Sequence, residues 1–522
     1  MTPPRVRWQW PSALAACVAA AGLASVRLGL DVNWDLRNYH YYDAYAFLTG
    51  RLGWDVAPAQ IQTFHNPLLD LVFYALVQQI ASPRVIAFAM AVPAGIAAFL
   101  LLRLLVRLFP SGLPDRALWI AAAFAIGVTG ASSQAMLGCT MNEWPPAMLL
   151  MVALLFLCHA RQDGGPTNAR ERSGWIPAFA GMTAGMAVGL KLTYGVFAFG
   201  LLAATLLDAP WREALRRTAL LGAGMALGFA LTYGFWGVTL WREFANPFFP
   251  YFNNVFASPW WEPVAWFDRN WGPRNALQWV LFPFYFARES KLVGEVSFRD
   301  YRLAALLALA LMLLVAKGTS RAARLAPPWR FPAVFTLASY VAWIFLFGIY
   351  RYLVPLELLS GPLIVAACLA LVGGRNARRA AIVVVAVLLV GTTRPASWGR
   401  IPFHGAYFDV AAPDLAPNAL VIVGPYDPLA YAIPYFRPDA RFVSPQNNLL
   451  HWSQRNLLVK RIDALVAGHE GPLYALDLRG YDRLGDVLDH YHLSRDLSKC
   501  LPVRSNLDFG LLQVCPLERK PL

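Results

Sequence analysis

Long apolar runs broken by short polar turns set the pattern of this chain. Most of them approach the roughly 20 residues a helix needs to cross a bilayer, which predicts an all-α polytopic membrane protein. Eleven spans are expected, near 11–30, 84–108, 117–136, 145–160, two within 174–207, then 217–240, 302–316, 331–349, 353–372 and 380–393. Residues 67–82 contain Asp70, Gln78 and Gln79 and read as a juxtamembrane or re-entrant helix. Were they a full span, Arg103 and Arg107 would fall outside, against the charge bias of membrane proteins. Residues 275–287 read as a second interfacial helix.

The pattern changes near 396. Residues 419–425, 440–445 and 471–478 read as strands, and 448–468 and 481–492 as helices, which predicts a small α/β layer with a partly parallel sheet. No GxGxxG or P-loop follows any of these strands, so nucleotide binding has no support. Residues 500–516 read as a hairpin turning near 508–510, with Cys500 and Cys515 toward its two ends. A disulfide and two unlinked thiols both fit that spacing in an oxidising compartment. The other cysteines, Cys17, Cys139, Cys158 and Cys368, lie in or beside apolar runs and read as packing residues. The division expected is a membrane domain over 1–395, with an outer loop at 31–83, and an extracytoplasmic domain over 396–522.

Composition agrees with the periodicity. Hydrophobic residues make up 57% of the 522 and charged ones 15%, which excludes an ordinary soluble protein. A net charge of +14 raises nucleic acid as a partner, but the basic residues sit between apolar runs. They are Arg103, Arg107 and Arg116; Arg161, Arg170 and Arg172; Arg212, Arg216 and Arg217; Lys317, Arg321, Arg324 and Arg330; and Arg375, Arg378 and Arg379. Such turns orient spans, so no nucleic acid is expected. They predict a cytoplasmic N-terminus and an external C-terminal domain, and because many spans follow, residues 1–30 read as an uncleaved signal-anchor.

The longest polar interruption of the N-terminal half is 31–67. Asp35, Tyr39, Tyr42 and Asp43 recur at helical spacing, with Leu36, Ala44 and Phe47 opposite, which predicts a short helix lying flat at the membrane surface and ended by Gly50. Under the expected topology, Asp31, Asp35, Asp43, His65, Asn66, Glu143, Lys191, Arg299, Arg351 and Tyr352 share the outer side. Solvated loop acids and a snorkelling lysine are the ordinary explanation for any one of them. Gathered together, carboxylates and cations suit a phosphate-bearing substrate: a carboxylate accepts the proton of an attacking hydroxyl, and cations neutralise charge on a phosphate leaving group. The Trp- and Phe-rich loop 241–271 reads first as an interfacial aromatic belt.

Five segments, in order, carry a resemblance. NWDLRNYHYYDAYAFLTGR resembles the first outer loop of the GT-C superfamily of membrane glycosyltransferases. HNPLLDLVFYALVQQIASPRVIAF is similar to the Pro-Leu helix of its aminoarabinose-transferase and protein O-mannosyltransferase members. MNEWPPAMLLMVALLFL, AGMTAGMAVGLKLTYG and YRYLVPLELLSG resemble that group's acid-bearing fourth span, lysine-ended helix and Arg-Tyr-x-x-Pro turn. The resemblance covers most of 11–372. It implies hexosyl or pentosyl transfer from a polyprenyl-phosphate-linked sugar, among membrane lipids, to a lipid, glycan or protein acceptor. It further implies Asp35, Asp31 and Glu143 as catalytic residues. Lys191, Arg351, Tyr352, Tyr39, His65, Asn66 and Arg299 are implied as substrate-binding. A divalent cation, Mg or Mn, stays open, since Asp31 and Asp35 stand where an Asp-Glu pair is usual, Asn66–Leu68 replaces Pro-Pro-Leu, and Glu143 replaces an Asp. Two further readings are a flippase for a lipid-linked glycan and an O-antigen-type polymerase or ligase. The internal repeat and midplane polar site of many transporters do not occur in the sequence.

Overall fold

A computed structural model describes residues 9–162, 169–266, 270–319, 327–481, 483–507 and 510–521. A helix lies at each of the eleven expected positions: α1 Gln9–Leu28, α2 Pro83–Leu108 (interrupted at Ala91), α3 Arg116–Val128 and α4 Trp144–Gln162. They continue as α5 Ala169–Leu190, α6 Gly195–Leu206, α7 Trp211–Phe244, α8 Arg302–Thr319, α9 Pro327–Leu346, α10 Val354–Leu371 and α11 Arg375–Thr392. Among the described residues five stretches are long and apolar enough to cross a membrane: α1, α2, α7, most of α9, and α10 with the turn before it. The short pieces expected at 67–82 and 275–287 are helices Leu68–Gln79 and Ala276–Arg288. Of the basic residues, Arg321 and Arg324 and the side chains of Arg161, Arg170, Arg172 and Lys317 lie outside the described part.

The described chain forms two compact units. The first comprises residues up to 27, 88–234 and 267–398 and holds most of the helices. Its central element is α10, whose residues from Val354 to Cys368 are all buried. Close helix approach depends on small residues. A Cβ on Gly181 or Gly185 of α5 would stand 2.0 Å from the Leu221 or Met225 carbonyl of α7, and Gly224 and Gly228 face α5 in the same way. Bare backbone at these positions lets two helices pack without a solvent-driven force between them.

One expected span is shorter than its apolar run. Residues 117–136 were expected to be continuous, yet α3 ends at Val128, and after Thr129 and Gly130 a new turn, Ala131–Ala135, begins. Buried carboxylates explain the break. Glu357 accepts from Ser132 N (2.9 Å), Ser133 N (2.7 Å) and Ser133 Oγ (2.7 Å), and Asp300 accepts from Ala131 N (2.8 Å). These acids satisfy the first amides of the new turn and complement its dipole. Arg302, wholly buried, pairs with Asp300 and donates to Ile126 O, Thr129 O and Thr393 Oγ1.

The second unit comprises 28–87, 235–266 and 399–522, so residues after 398 fold with two earlier segments. Its strands are β1 Leu30–Asp31, β2 Arg400–Ile401, β3 Val410–Ala411, β4 Leu420–Val423, β5 Arg441–Val443, β6 Leu473–Leu478, β7 Leu493–Arg495, β8 Leu501–Pro502, β9 Arg504–Ser505 and β10 Leu512–Arg519. The main sheet runs β5-β4-β6-β10-β7, with β8 on β10; β4 is parallel to β5 and β6, while β10 is antiparallel to β6 and β7. Helices Leu457–Gly468 and Gly485–His490 complete the expected α/β layer. The hairpin differs in part: β8 pairs with β10, but β9 turns away to pair with β3. Asp508 at its expected turn lies outside the described residues. Cys500 and Cys515 form a disulfide.

Candidate functional site

In the second unit, Leu30 and Asp31 pair antiparallel with Ile401 and Arg400. The buried Asp31 carboxylate accepts from Asn33 Nδ2 at 2.8 Å on each oxygen, and Asn33 Oδ1 in turn accepts from Leu36 N at 2.8 Å. That relay fixes where the helix starts. Asp35, also buried, sits at the mouth of a π-helical turn, Leu36–His40, followed by helix Tyr41–Thr49. Gly50 ends the helix with φ +68°, as its position predicts.

The expected helix forms over Tyr41–Thr49, but without a solvated polar face along its first turns. The wider π turn shifts the register after Asp35, and Tyr39, Tyr42 and Asp43 are buried together with Leu36 and Ala44, while Phe47 near the helix end is 38% exposed. His40 Nδ1 faces Asp70 Oδ1 at 2.6 Å. Neither oxygen of Asp43 has a hydrogen-bond partner. Burial pushes the Asp43 carboxyl well above the usual carboxylate value, and the Asp70 charge adds to the rise. A second cluster joins Arg51, Asp55 and Tyr42: Arg51 Nε donates to Asp55 Oδ2 at 2.7 Å and Tyr42 Oη to the same oxygen at 2.8 Å. Burial raises the Asp55 carboxyl despite its arginine.

The Tyr39 ring lies tilted against His40 (3.9 Å between ring centroids) and makes an edge contact with His65 at 5.3 Å. His65 Nε2 lies 2.9 Å from Tyr251 Oη, so the aromatic loop contributes to this group. Asn66 Oδ1 accepts from Leu68 N (3.1 Å) and starts helix Leu68–Gln79. Asp31, Asp35, Tyr39, His65 and Asn66 thus belong to one unit and one polar segment.

Glu143, Lys191, Arg351, Tyr352 and Arg299 belong to the helical unit. Lys191 Nζ donates to Glu143 Oε1 at 2.5 Å and to Met141 O at 2.7 Å. The Glu143 side chain is wholly buried and that of Lys191 is 20% exposed. The Tyr352 ring lies 5.4 Å from Lys191 Nζ and 5.5 Å from the Arg351 guanidinium, which also faces Trp398 at 5.3 Å. Four residues from three separate turns therefore converge: two cations, one acid and a phenol. Arg299 lies in the same unit. It is exposed, and its backbone pairs with Arg394 in an antiparallel bridge.

The residues that periodicity missed are the partners of the buried acids: His40, Asp70, Arg51, Asp55, Asp300, Arg302 and Glu357. Only Arg51 and Asp55 carried a sequence signal, their i,i+4 spacing. No group of three or more His, Cys, Asp or Glu side chains among the described residues could hold a metal ion.

No protein-family model matches the chain, and no curated protein matches it. Among solved structures it is similar to ArnT from Cupriavidus metallidurans in the apo state, with 14% identity and a TM-score of 0.54 over 97% of this chain and 98% of that one. ArnT from Cupriavidus metallidurans bound to undecaprenyl phosphate aligns at 15% identity and a TM-score of 0.46, over 70% of this chain and 60% of that one. The chain has the fold of the apo ArnT structure, mostly helical with a small C-terminal sheet, in agreement with the helical fold expected from its sequence.

Proposed function

We propose that this chain is an integral-membrane glycosyltransferase of the bacterial inner membrane. It moves a sugar from a polyprenyl-phosphate donor to a lipid, glycan or protein acceptor on the outer face. The observation that carries the reading is the meeting of Lys191, Arg351, Tyr352 and Glu143 at the turns of a GT-C-like helical unit. Two cations held at fixed points suit a phosphate whose negative charge grows as the sugar departs.

In this mechanism Asp35 takes the proton of the acceptor hydroxyl, and the acceptor oxygen bonds to the anomeric carbon. The bond from that carbon to the phosphate oxygen breaks, leaving polyprenyl phosphate, whose charge Lys191 and Arg351 offset. Asp31 and Glu143 act by positioning: Asp31 through Asn33 on the turn that presents Asp35, Glu143 on the lysine ammonium. Tyr39, His65 and Asn66 shape the segment around Asp35. Among the described residues no group of three or more His, Cys, Asp or Glu side chains fits a Mg or Mn ion, and no step of this mechanism runs through one.

The test is transfer by the purified, lipid-reconstituted protein from a panel of polyprenyl-phosphate sugars. Wild type is expected to release polyprenyl phosphate and glycosylate an acceptor, and Asp35→Asn to lose at least about 100-fold in rate. Undiminished transfer by Asp35→Asn removes that residue from the chemistry. Movement of labelled lipid across vesicles without any transfer points to a flippase instead.

A further inference from the structure

The α/β sheet contains a feature that the transfer chemistry leaves unused. Strand β4 lies between β5 and β6 and is parallel to both. The chain leaves β4 toward β5 but leaves β6 toward the opposite edge, where β10 and β7 lie. The carboxyl ends of β4 and β6 therefore flank a topological switch point, the place where open α/β sheets form ligand crevices.

Two loops meet at this point. After β4, Gly424 N donates to Leu476 O at 2.8 Å, and a Cβ on Gly424 would stand 3.2 Å from that same carbonyl, so glycine lets the loop pass low over β6. Tyr426 follows with φ +63°, an uncommon backbone for a bulky side chain, and is 45% exposed. After β6 comes Tyr481, 51% exposed. Asp427 accepts from Arg483 Nη1 at 3.1 Å, tying the two loops together, and the Arg483 guanidinium lies 5.7 Å from the Tyr481 ring. Strained backbone that displays an aromatic ring to solvent is a recurrent mark of binding sites.

The same corner reaches the segment that carries Asp35. The π turn Leu36–His40 packs on the turn Ala430–Tyr435 that follows the β4 loop. Arg37, two residues beyond Asp35, is close enough to Asp427 for its charge to act on that carboxylate.

We propose that Tyr426, Asp427, Tyr481 and Arg483 form a carbohydrate subsite, at which the sugar portion of the acceptor rests. Two exposed phenol rings offer flat faces for the C–H side of a pyranose. A paired acid and guanidinium supply the acceptor and donor that sugar hydroxyls require. A bare anion would meet the Asp427 carboxylate, and an alkyl chain would meet this ion pair. The inference rests on the transferase reading for the word acceptor, but the binding itself can be measured without any donor.

The experiment is saturation-transfer difference NMR on the full chain in lipid nanodiscs, with maltotriose, mannotriose and chitotriose as probes and no polyprenyl lipid added. At least one trisaccharide is expected to give a signal with wild type. That signal should fall about 5-fold, the order of one lost ring contact, in Tyr426→Ala and in Tyr481→Ala, and persist in Tyr426→Phe. No signal from any probe, or a signal that both alanine variants leave unchanged, overturns the subsite. Failure of the transferase reading looks different: the trisaccharide signal stays sensitive to the tyrosines while the transfer assay is blank.

Discussion

Replacing Lys191 by methionine tests the cation cluster most directly. The variant keeps the length and apolar stem of the side chain and removes only the ammonium. Glu143, with no exposed side-chain surface, then keeps a buried carboxylate without the cation that sits 2.5 Å away. Removing one partner of a buried pair costs about 3–5 kcal/mol. If the chain unfolds as one unit of 522 residues, that is a fall in Tm of about 3–5 °C. Glu143→Gln is gentler, since the amide oxygen still accepts from Lys191 and the ammonium keeps Met141 O at 2.7 Å; about 1–2 kcal/mol is expected. The combined variant leaves no buried charge and should be more stable than Lys191→Met alone, a coupling of about 1–3 kcal/mol. Thermal unfolding in detergent, followed by tryptophan fluorescence, reads all three. A double variant whose loss equals the sum of the two single losses refutes the pairing and the positioning role given to Glu143.

Asp43→Asn concerns pH. The Asp43 carboxyl is raised from 3.8 by burial and by Asp70, so its contribution to stability is complete below 3.8 and is lost as pH climbs through the folded-state value. The asparagine variant has no such loss, and its Tm advantage over wild type should widen from pH 5 to pH 9; a gap that narrows with rising pH contradicts the assignment. Cys500→Ala with Cys515→Ala opens a link spanning 15 residues of sequence, an expected cost of about 3 kcal/mol, read as a lower Tm that reductant reproduces in wild type. Gly130→Ala sets a methyl 2.1 Å from Glu357 Oε2, an oxygen already held by Ser133, and should cost about 1–3 kcal/mol or more. An alanine variant with unchanged Tm would show that the break after α3 is not fixed by Glu357.

The helices were legible because membrane burial writes itself as apolar length, a signal that needs no knowledge of partners. All eleven expected positions carry a helix, and the two interfacial pieces fall within a few residues of their expected bounds. The break at Gly130 was not legible, because its cause is a pair of acids more than 150 residues downstream, Asp300 and Glu357. Strands β4, β5 and β6 of the C-terminal sheet showed as short apolar runs, but the partner of β9 did not, since two-residue pairings leave no periodicity. In the candidate site, Lys191 with Glu143 and Arg351 with Tyr352 were visible as odd charges at the ends of apolar runs. The register of 35–49 was misread because a single π turn carries one extra residue that composition does not announce.

The pairing of β1 with β2 bears on how the protein is made. Leu30 and Asp31 leave the ribosome some 370 residues before their strand partners Arg400 and Ile401. Throughout that interval the segment bearing Asp35 has no completed fold to join, and closing so large a loop is slow. A chain truncated near residue 395 would therefore keep α1 to α11 yet never finish the turn that presents Asp35.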